Sequence, residues 1–257
     1  MTVLPATVRV GPRYWLQSMG AMLQWQLTSL RLLFPLLIVV QILIAAGFTV
    51  GIGLFFEVVP ETVALFLSTG ASVVTLITVG IVVAPQLIAD EKTTGTYDFT
   101  WSLPAPRSAA VAAWILVNAV IAVPSMIAAL AVGGWRYDLT FSVNWRILVA
   151  VVLVVTCASL IGYALAHTIP NPNITQITSQ VFAFTIFGFT PINYPIENLP
   201  GWLGSLHRAL PFYHMGVVVR EGLTTGLVED VGLSYLVLIA WTVVVGWMTA
   251  SALRHRR

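Results

Sequence analysis

Charged side chains are confined to short stretches of the chain. No Asp, Glu, Lys or Arg occurs in 32–56, 62–89, 108–135, 147–196 or 231–253. Four of these windows have the length of one bilayer crossing or slightly more, since a spanning helix needs about 20 apolar residues. The window 147–196 is too long for one crossing. It is divided after His167 by Thr168-Ile169-Pro170-Asn171-Pro172-Asn173, where two prolines around two asparagines read as a turn. The pattern therefore predicts an all-α integral membrane protein with spans near 32–54, 62–88, 108–132, 147–167, 174–193 and 232–253. Helices follow because lipid cannot satisfy open backbone groups. A β-barrel would show alternating segments of about ten residues, and the sequence has none. Two segments result: a leader over 1–31 and a six-span domain over 32–257.

The leader has a pattern of its own. Over 14–30, Trp15, Met19, Met22, Leu23, Leu27 and Leu30 recur at roughly helical spacing, and Gln17, Ser18, Gln24 and Gln26 lie mostly between them. This predicts an amphipathic helix in the membrane interface, with Trp15 and Trp25 at headgroup depth. Between the spans, the stretch from Phe189 to Asp230 mixes Trp202, Leu203, Leu206 and Leu210 with Pro191, Pro195, Pro200 and Pro211. Prolines at such intervals break the chain into short pieces. Two short re-entrant or interfacial helices are expected near 200–209 and 212–223.

Composition agrees: 58% of the residues are hydrophobic and 9% charged, where soluble domains carry about a quarter charged. Six spans put both termini on one side. That side holds Arg9, Arg13, Arg31, Lys92, Arg107, Arg254, Arg256 and Arg257, against Arg136, Arg146, Arg208 and Arg220 on the other. The positive-inside rule then places both termini in the cytoplasm. A net charge of +2 gives no reason to expect nucleic acid, and the Arg256-Arg257 tail suits anionic lipid headgroups. Cys157, the one cysteine, reads as a small apolar residue of the fourth span. No cleavable signal peptide is expected, since the first apolar run is long enough to span.

The most distinctive polar segment joins spans two and three, from Ala89 to Arg107. It holds the only lysine, Lys92, and three of the ten acids, Asp90, Glu91 and Asp98. Tyr97, Phe99 and Trp101 follow Gly95, and Pro104 and Pro106 stop any helix. Three aromatics in a cytoplasmic loop call for a partner surface. The pattern Glu91-Lys92-x-x-Gly95-Thr96, followed after six residues by Leu103-Pro104, resembles the signature of ABC-2 type exporter permeases. The leader, the six spans and the proline-rich segment before the last span are similar to that family too, as in its drug and antibiotic-resistance exporters. Where the family usually has a leucine-rich run, this chain has Tyr97-Asp98-Phe99-Thr100-Trp101.

The resemblance implies two permeases, identical or paired, powered by a pair of ATP-binding subunits that hold ATP and magnesium. It implies a coupling helix in which Glu91, Lys92, Gly95, Thr96, Tyr97 and Phe99 meet the ATPase. The residues independently require that ATP be bound elsewhere. A P-loop needs glycine one and six residues before its lysine, and Glu91 and Gln86 stand there. No cofactor, metal or catalytic residue is expected in this chain.

A route for cargo is suggested by polar stripes. In span two Ser68, Ser72 and Thr75 follow helical spacing, widened by Thr69 and Thr78. In span five Thr175, Thr178, Ser179, Phe182, Thr185 and Phe189 share a face. Polar side chains avoid lipid, and small ones let helices approach, so both faces should look inward, as pathway or as packing. With no intramembrane acid or arginine expected, an amphiphilic small molecule is the expected cargo. His207, His214 and Glu221 are spaced by sevens but lack further ligands, so no metal is expected. Asn173 matches a glycosylation sequon on the cytoplasmic side and is read as the N-cap of span five. Gly232-Leu233-Ser234-Tyr235 fails the Gly-x-Ser-Gly pattern of an intramembrane serine protease. An ion-coupled secondary transporter would need a midplane ionisable group, and only His167 at a span end comes close. A non-transporting scaffold would not need the aromatic loop. Abundant alanine and valine, with arginine far ahead of lysine, suggest a GC-rich bacterium and its plasma membrane.

Overall fold

The computed structural model describes residues 11–55, 57 and 59–254. Arg9 and the Arg256-Arg257 tail lie outside the described residues. Within them the chain forms eleven α-helices and no strand. These are α1 Pro12–Ser29, α2 Leu33–Gly53, α3 Glu61–Thr78, α4 Ala84–Thr94, α5 Thr96–Ser102, α6 Arg107–Tyr137, α7 Arg146–Thr168, α8 Pro172–Phe189, α9 Gly201–Ala209, α10 Pro211–Leu223 and α11 Val231–Arg254.

Proline sets many of the starts. Pro12, Pro172 and Pro211 occupy the first turn of α1, α8 and α10, where no backbone donor is needed. Pro60, Pro106 and Pro200 immediately precede α3, α6 and α9. At α8 the structure corrects one expectation. Asn171, not Asn173, is the N-cap, and its side chain accepts from the Asn173 amide at 2.9 Å. Pro172 is pre-set for the first turn, so the helix begins earlier than the sequence reading placed it.

Five helical segments are long and apolar enough to cross a membrane: α2, the continuous Glu61–Thr94 run, α6, α7 and α11. The chain is a multi-pass membrane protein. The 18-residue α8 is not among the five, because Asn173, Gln176 and Gln180 make its first half polar. α2 and α11 leave long apolar faces exposed, with Leu36, Leu43, Leu236 and Val243 outward, as lipid-facing helices do.

The Glu61–Thr94 run is the axis of the molecule. From Leu67 through Val82 every residue is buried. α6 packs along α1, α2, α3 and α7. α7 packs against α4, α10 and α11. Between α3 and α4 lies a wide π turn, Val79–Val83. Pro85 has no N–H to give the carbonyl one turn back, and a wider turn absorbs that loss.

The same turn contains Gly80, which meets Gly162 of α7. A methyl on Gly162 would fall onto the Gly80 carbonyl, and one on Gly80 would come within 2.7 Å of Ala158. Two backbones thus touch with no side chain between them, the geometry small residues permit in membranes. Nearby, Asn118 Nδ2 donates to Ser159 Oγ at 2.8 Å, a buried bond between α6 and α7. Gly162→Ala should therefore destabilise the purified protein by about 1–3 kcal/mol. Gly20→Ala on α1, where a methyl meets nothing within 4 Å, should be neutral or slightly stabilising. Thermal unfolding in detergent checks the pair; equal melting temperatures would refute the crossing.

Candidate functional site

The segment 89–107 closes one end of the bundle. α4 ends at Gly95, whose φ of +79° suits a residue without Cβ. Gly95 is at once the C-cap of α4 and the residue before α5, so one left-handed residue sets the angle between them. α5 is short because Leu103 turns extended ahead of Pro104.

The residues expected here divide into two groups. Lys92 and Tyr97 turn inward. The Lys92 amine donates to the carbonyls of Ala166 and of Ile169, the latter at 2.7 Å, so a cation caps the C-terminus of α7. It also sits 5.5 Å from the centre of the Tyr97 ring. Tyr97 is buried beside Trp101 and His167, and His167 stacks on Tyr163 at 3.9 Å. His167 Nδ1 donates to the Tyr163 carbonyl at 2.8 Å. Gly95 and Phe99 instead face outward, together with Thr93, Thr94 and Asp98. Phe99 is 51% exposed and lies 5.7 Å from Trp25 of α1. Thr96 and Glu91 are intermediate, and Glu91 borders a cavity of about 230 Å³ with Tyr97, Trp101, Arg107 and His167. α1 closes the same end: Tyr14 donates to the Pro104 carbonyl, and Trp15 Nε1 donates to Ser108 Oγ at 2.9 Å.

Within one chain the two hydroxyl stripes differ in burial. Ser68, Ser72 and Thr75 are fully buried within the chain. Ser72 Oγ donates back to the Ser68 carbonyl at 2.9 Å, and Thr75 Oγ1 to the Ser72 carbonyl at 2.7 Å. Gly133 of α6 lies against Ser68 with no room for a Cβ. This stripe lets α6 approach α3, which is packing. On α8, Thr175 and Ser179 are buried, and the helix packs on α4 and the π turn. Phe182 and Thr178 are intermediate, while Thr185 and Phe189 are exposed. Ile177, Val181 and Phe184 are exposed too, so much of α8 has no partner among the described residues.

At the opposite end the structure buries a residue that the sequence reading counted among the exposed charges. Arg220 of α10 is 2% exposed. Its Nε donates to Thr69 Oγ1 at 3.1 Å, an Nη donates to the Ile192 carbonyl, and its guanidinium stands 4.1 Å from the Phe66 ring centre. Glu221, next along the chain, turns away to Arg146 at 2.6 Å. Burial pulls Arg220 down to about 10, which leaves it cationic at neutral pH. A signal was present in the sequence: the apolar run Met215-Gly216-Val217-Val218-Val219 leads straight into the arginine. His214 Nε2 donates to the Arg208 carbonyl at 2.8 Å and its Nδ1 accepts from Ser234 at 3.0 Å. His207 is buried on α9, which lowers its basicity.

A family model described as ABC-2 family transporter protein matches residues 56–251. The chain belongs to the ABC-2 transporter family. The matched residues run from the loop before α3 into α11 and take in both ends described above. None of the curated proteins matches the chain. Membership of the ABC-2 family makes it a membrane transport subunit, not itself catalytic, and implies an ABC ATPase as partner.

Within this ABC-2 chain, Lys92→Met should leave two carbonyls of the α7 terminus without their cation. A loss of about 1–2 kcal/mol is expected, with faster hydrogen exchange in α5 and unchanged exchange in α11. Exchange unaltered in α5 would show that Lys92 does not fasten it.

Proposed function

We propose that the chain is the permease half of an ATP-driven exporter of amphiphilic molecules. The observation that carries this reading is the division of labour at α5. Its outer surface offers Gly95, Thr96, Asp98 and Phe99, while Lys92 and Tyr97 bind it to the end of α7. A helix with an exposed aromatic and a fixed rear is suited to take force from another protein and pass it into the bundle. The ATPase pair, holding ATP and magnesium, docks on that surface. Glu91 lies in the cavity behind α5, where the packing must adjust when α5 moves.

In this reading α8 is the sixth crossing, both termini are cytoplasmic, and the host membrane is a bacterial plasma membrane. The exposed face of α8, with Thr178, Thr185 and Phe189 and with Phe182 at its edge, lies against a second permease. Hydroxyls and aromatics there form a mixed surface that an amphiphile can wet. Alternating exposure of that surface, biased by nucleotide, moves cargo outward.

Two experiments test this. Phe99→Ser should weaken capture of the ATPase by about tenfold or more, as expected for an aromatic anchor, without changing the yield of folded permease. Undiminished capture would remove α5 from the docking surface. Separately, Phe189→Cys in a Cys157→Ser background should form a disulfide-linked dimer in oxidised membranes. Its absence, with Phe184→Cys equally silent, would rule out α8 as a face between two copies.

A further inference from the structure

A second cavity, of about 560 Å³, opens between α10, the start of α11 and the chain around the 3₁₀ turn Ile196–Asn198. It has the volume of a small-molecule site. Its lining is unusual for so apolar a chain. Arg208 and Arg220 supply positive charge, and Glu197, Glu229 and Asp230 supply negative charge. These three acids and two arginines are drawn from ten acids and eleven arginines in the sequence, so the clustering is marked. Phe66, Leu227 and Leu233 add apolar wall.

Arg220 is the anchor. Its charge is met within the described residues by a hydroxyl, a carbonyl and a ring, all neutral, because Glu221 is paired with Arg146. A buried cation without a buried anion is costly to keep and points to a role in binding. The acids sit elsewhere on the lining: Glu197 on the 3₁₀ turn, Glu229 and Asp230 just ahead of α11. Tyr213 lies between, within the fields of Glu197, Arg208, Arg220 and Asp230 alike. A purely anionic ligand would meet the three acids, and a purely cationic one the two arginines. A ligand carrying both signs on one small head satisfies both.

We propose that this cavity binds the zwitterionic headgroup of an amphiphile, its phosphate or carboxylate directed to Arg220 and Arg208 and its amine to Glu197 and Asp230. The apolar tail lies along Phe66 and Leu233 toward the membrane. Binding here does not rest on the transport reading; only its purpose does, as the outer station of the cargo's route. The cargo and a membrane phospholipid share this headgroup chemistry.

The test uses the full chain in a maltoside detergent and isothermal titration with three single-chain probes below their micellar concentrations. These are lysophosphatidylethanolamine, lysophosphatidylglycerol and dodecyltrimethylammonium. The zwitterion should bind about tenfold tighter than either singly charged probe, the worth of one charge-assisted contact. Glu197→Gln should weaken the zwitterion and the cation but not the anion. Arg208→Gln should weaken the zwitterion and the anion but not the cation. Arg220→Gln should do as Arg208→Gln does, and the two rim variants keep the test decisive if it fails to fold. Equal affinity for zwitterion and anion with Glu197→Gln indifferent, or no saturable binding of any probe, overturns the proposal. In nanodiscs, competition by phosphatidylethanolamine identifies the bilayer as the source of the headgroup. Probe binding that survives it identifies the cargo; either supports the site. ATPase capture by α5 is measured separately, so failure here leaves the transport reading standing.

Discussion

Everything in the molecule is hung on the contact between Gly80 and Gly162. Without side chains at that point, the buried Glu61–Thr94 helix and α7 come together backbone to backbone. In lipid there is no hydrophobic drive to bring apolar helices together, so close packing and a few interhelical hydrogen bonds must do it. The Asn118–Ser159 bond and the glycine pair supply both at one level of the bundle. α6 can then lie along the serine stripe of α3, α8 can cover α4, and α10 can wedge between α3 and α7.

That same pair of helices joins the two polar ends. α7 begins where Arg146 pairs with Glu221 and where Gly222 of α10 abuts Ile147. It ends where Lys92 caps it and Tyr163 and His167 hold Tyr97. In the proposed reading, a displacement of α5 is passed to α10 through α7, the element that touches both. The path is short in contacts although long in distance: amine to helix terminus, helix to glycine, glycine to the helix bearing Arg220. Bistable packing, not gradual bending, carries such shifts in close-packed interiors.

Five membrane-length helices were legible because lipid forbids charge, and the charge-free windows report that prohibition directly. The α5 segment was legible because aromatics between charges and prolines have few uses in a loop. The hydroxyl stripes were legible as stripes but not as to purpose. Ser68 and Ser72 read the same whether a hydroxyl faces a pathway or the carbonyl one turn back, and only the position of Gly133 decides. Lys92 carries charge in a loop that reads as a docking surface, yet its amine reaches back to α7. That depends on α7 packing beside α4, which no local pattern encodes. The polar first half of α8 likewise reads as a span by its neighbours and as something less by its own composition.

Arg220 shows why a charge count by side of the membrane is incomplete. Counted as a loop residue, it weighs in the orientation rule. Buried against Thr69 and Phe66, it contributes no loop charge and becomes a fixed positive field at the side of α3. The absence of an intramembrane ion had argued for a cargo without strong charge. That premise holds for the spans themselves, but α10 brings an ion to the side of α3 from outside them. In the proposed reading, a cargo that is neutral overall yet locally charged fits both facts: it crosses a surface of hydroxyls and rings, then meets paired charges of opposite sign where the helices break.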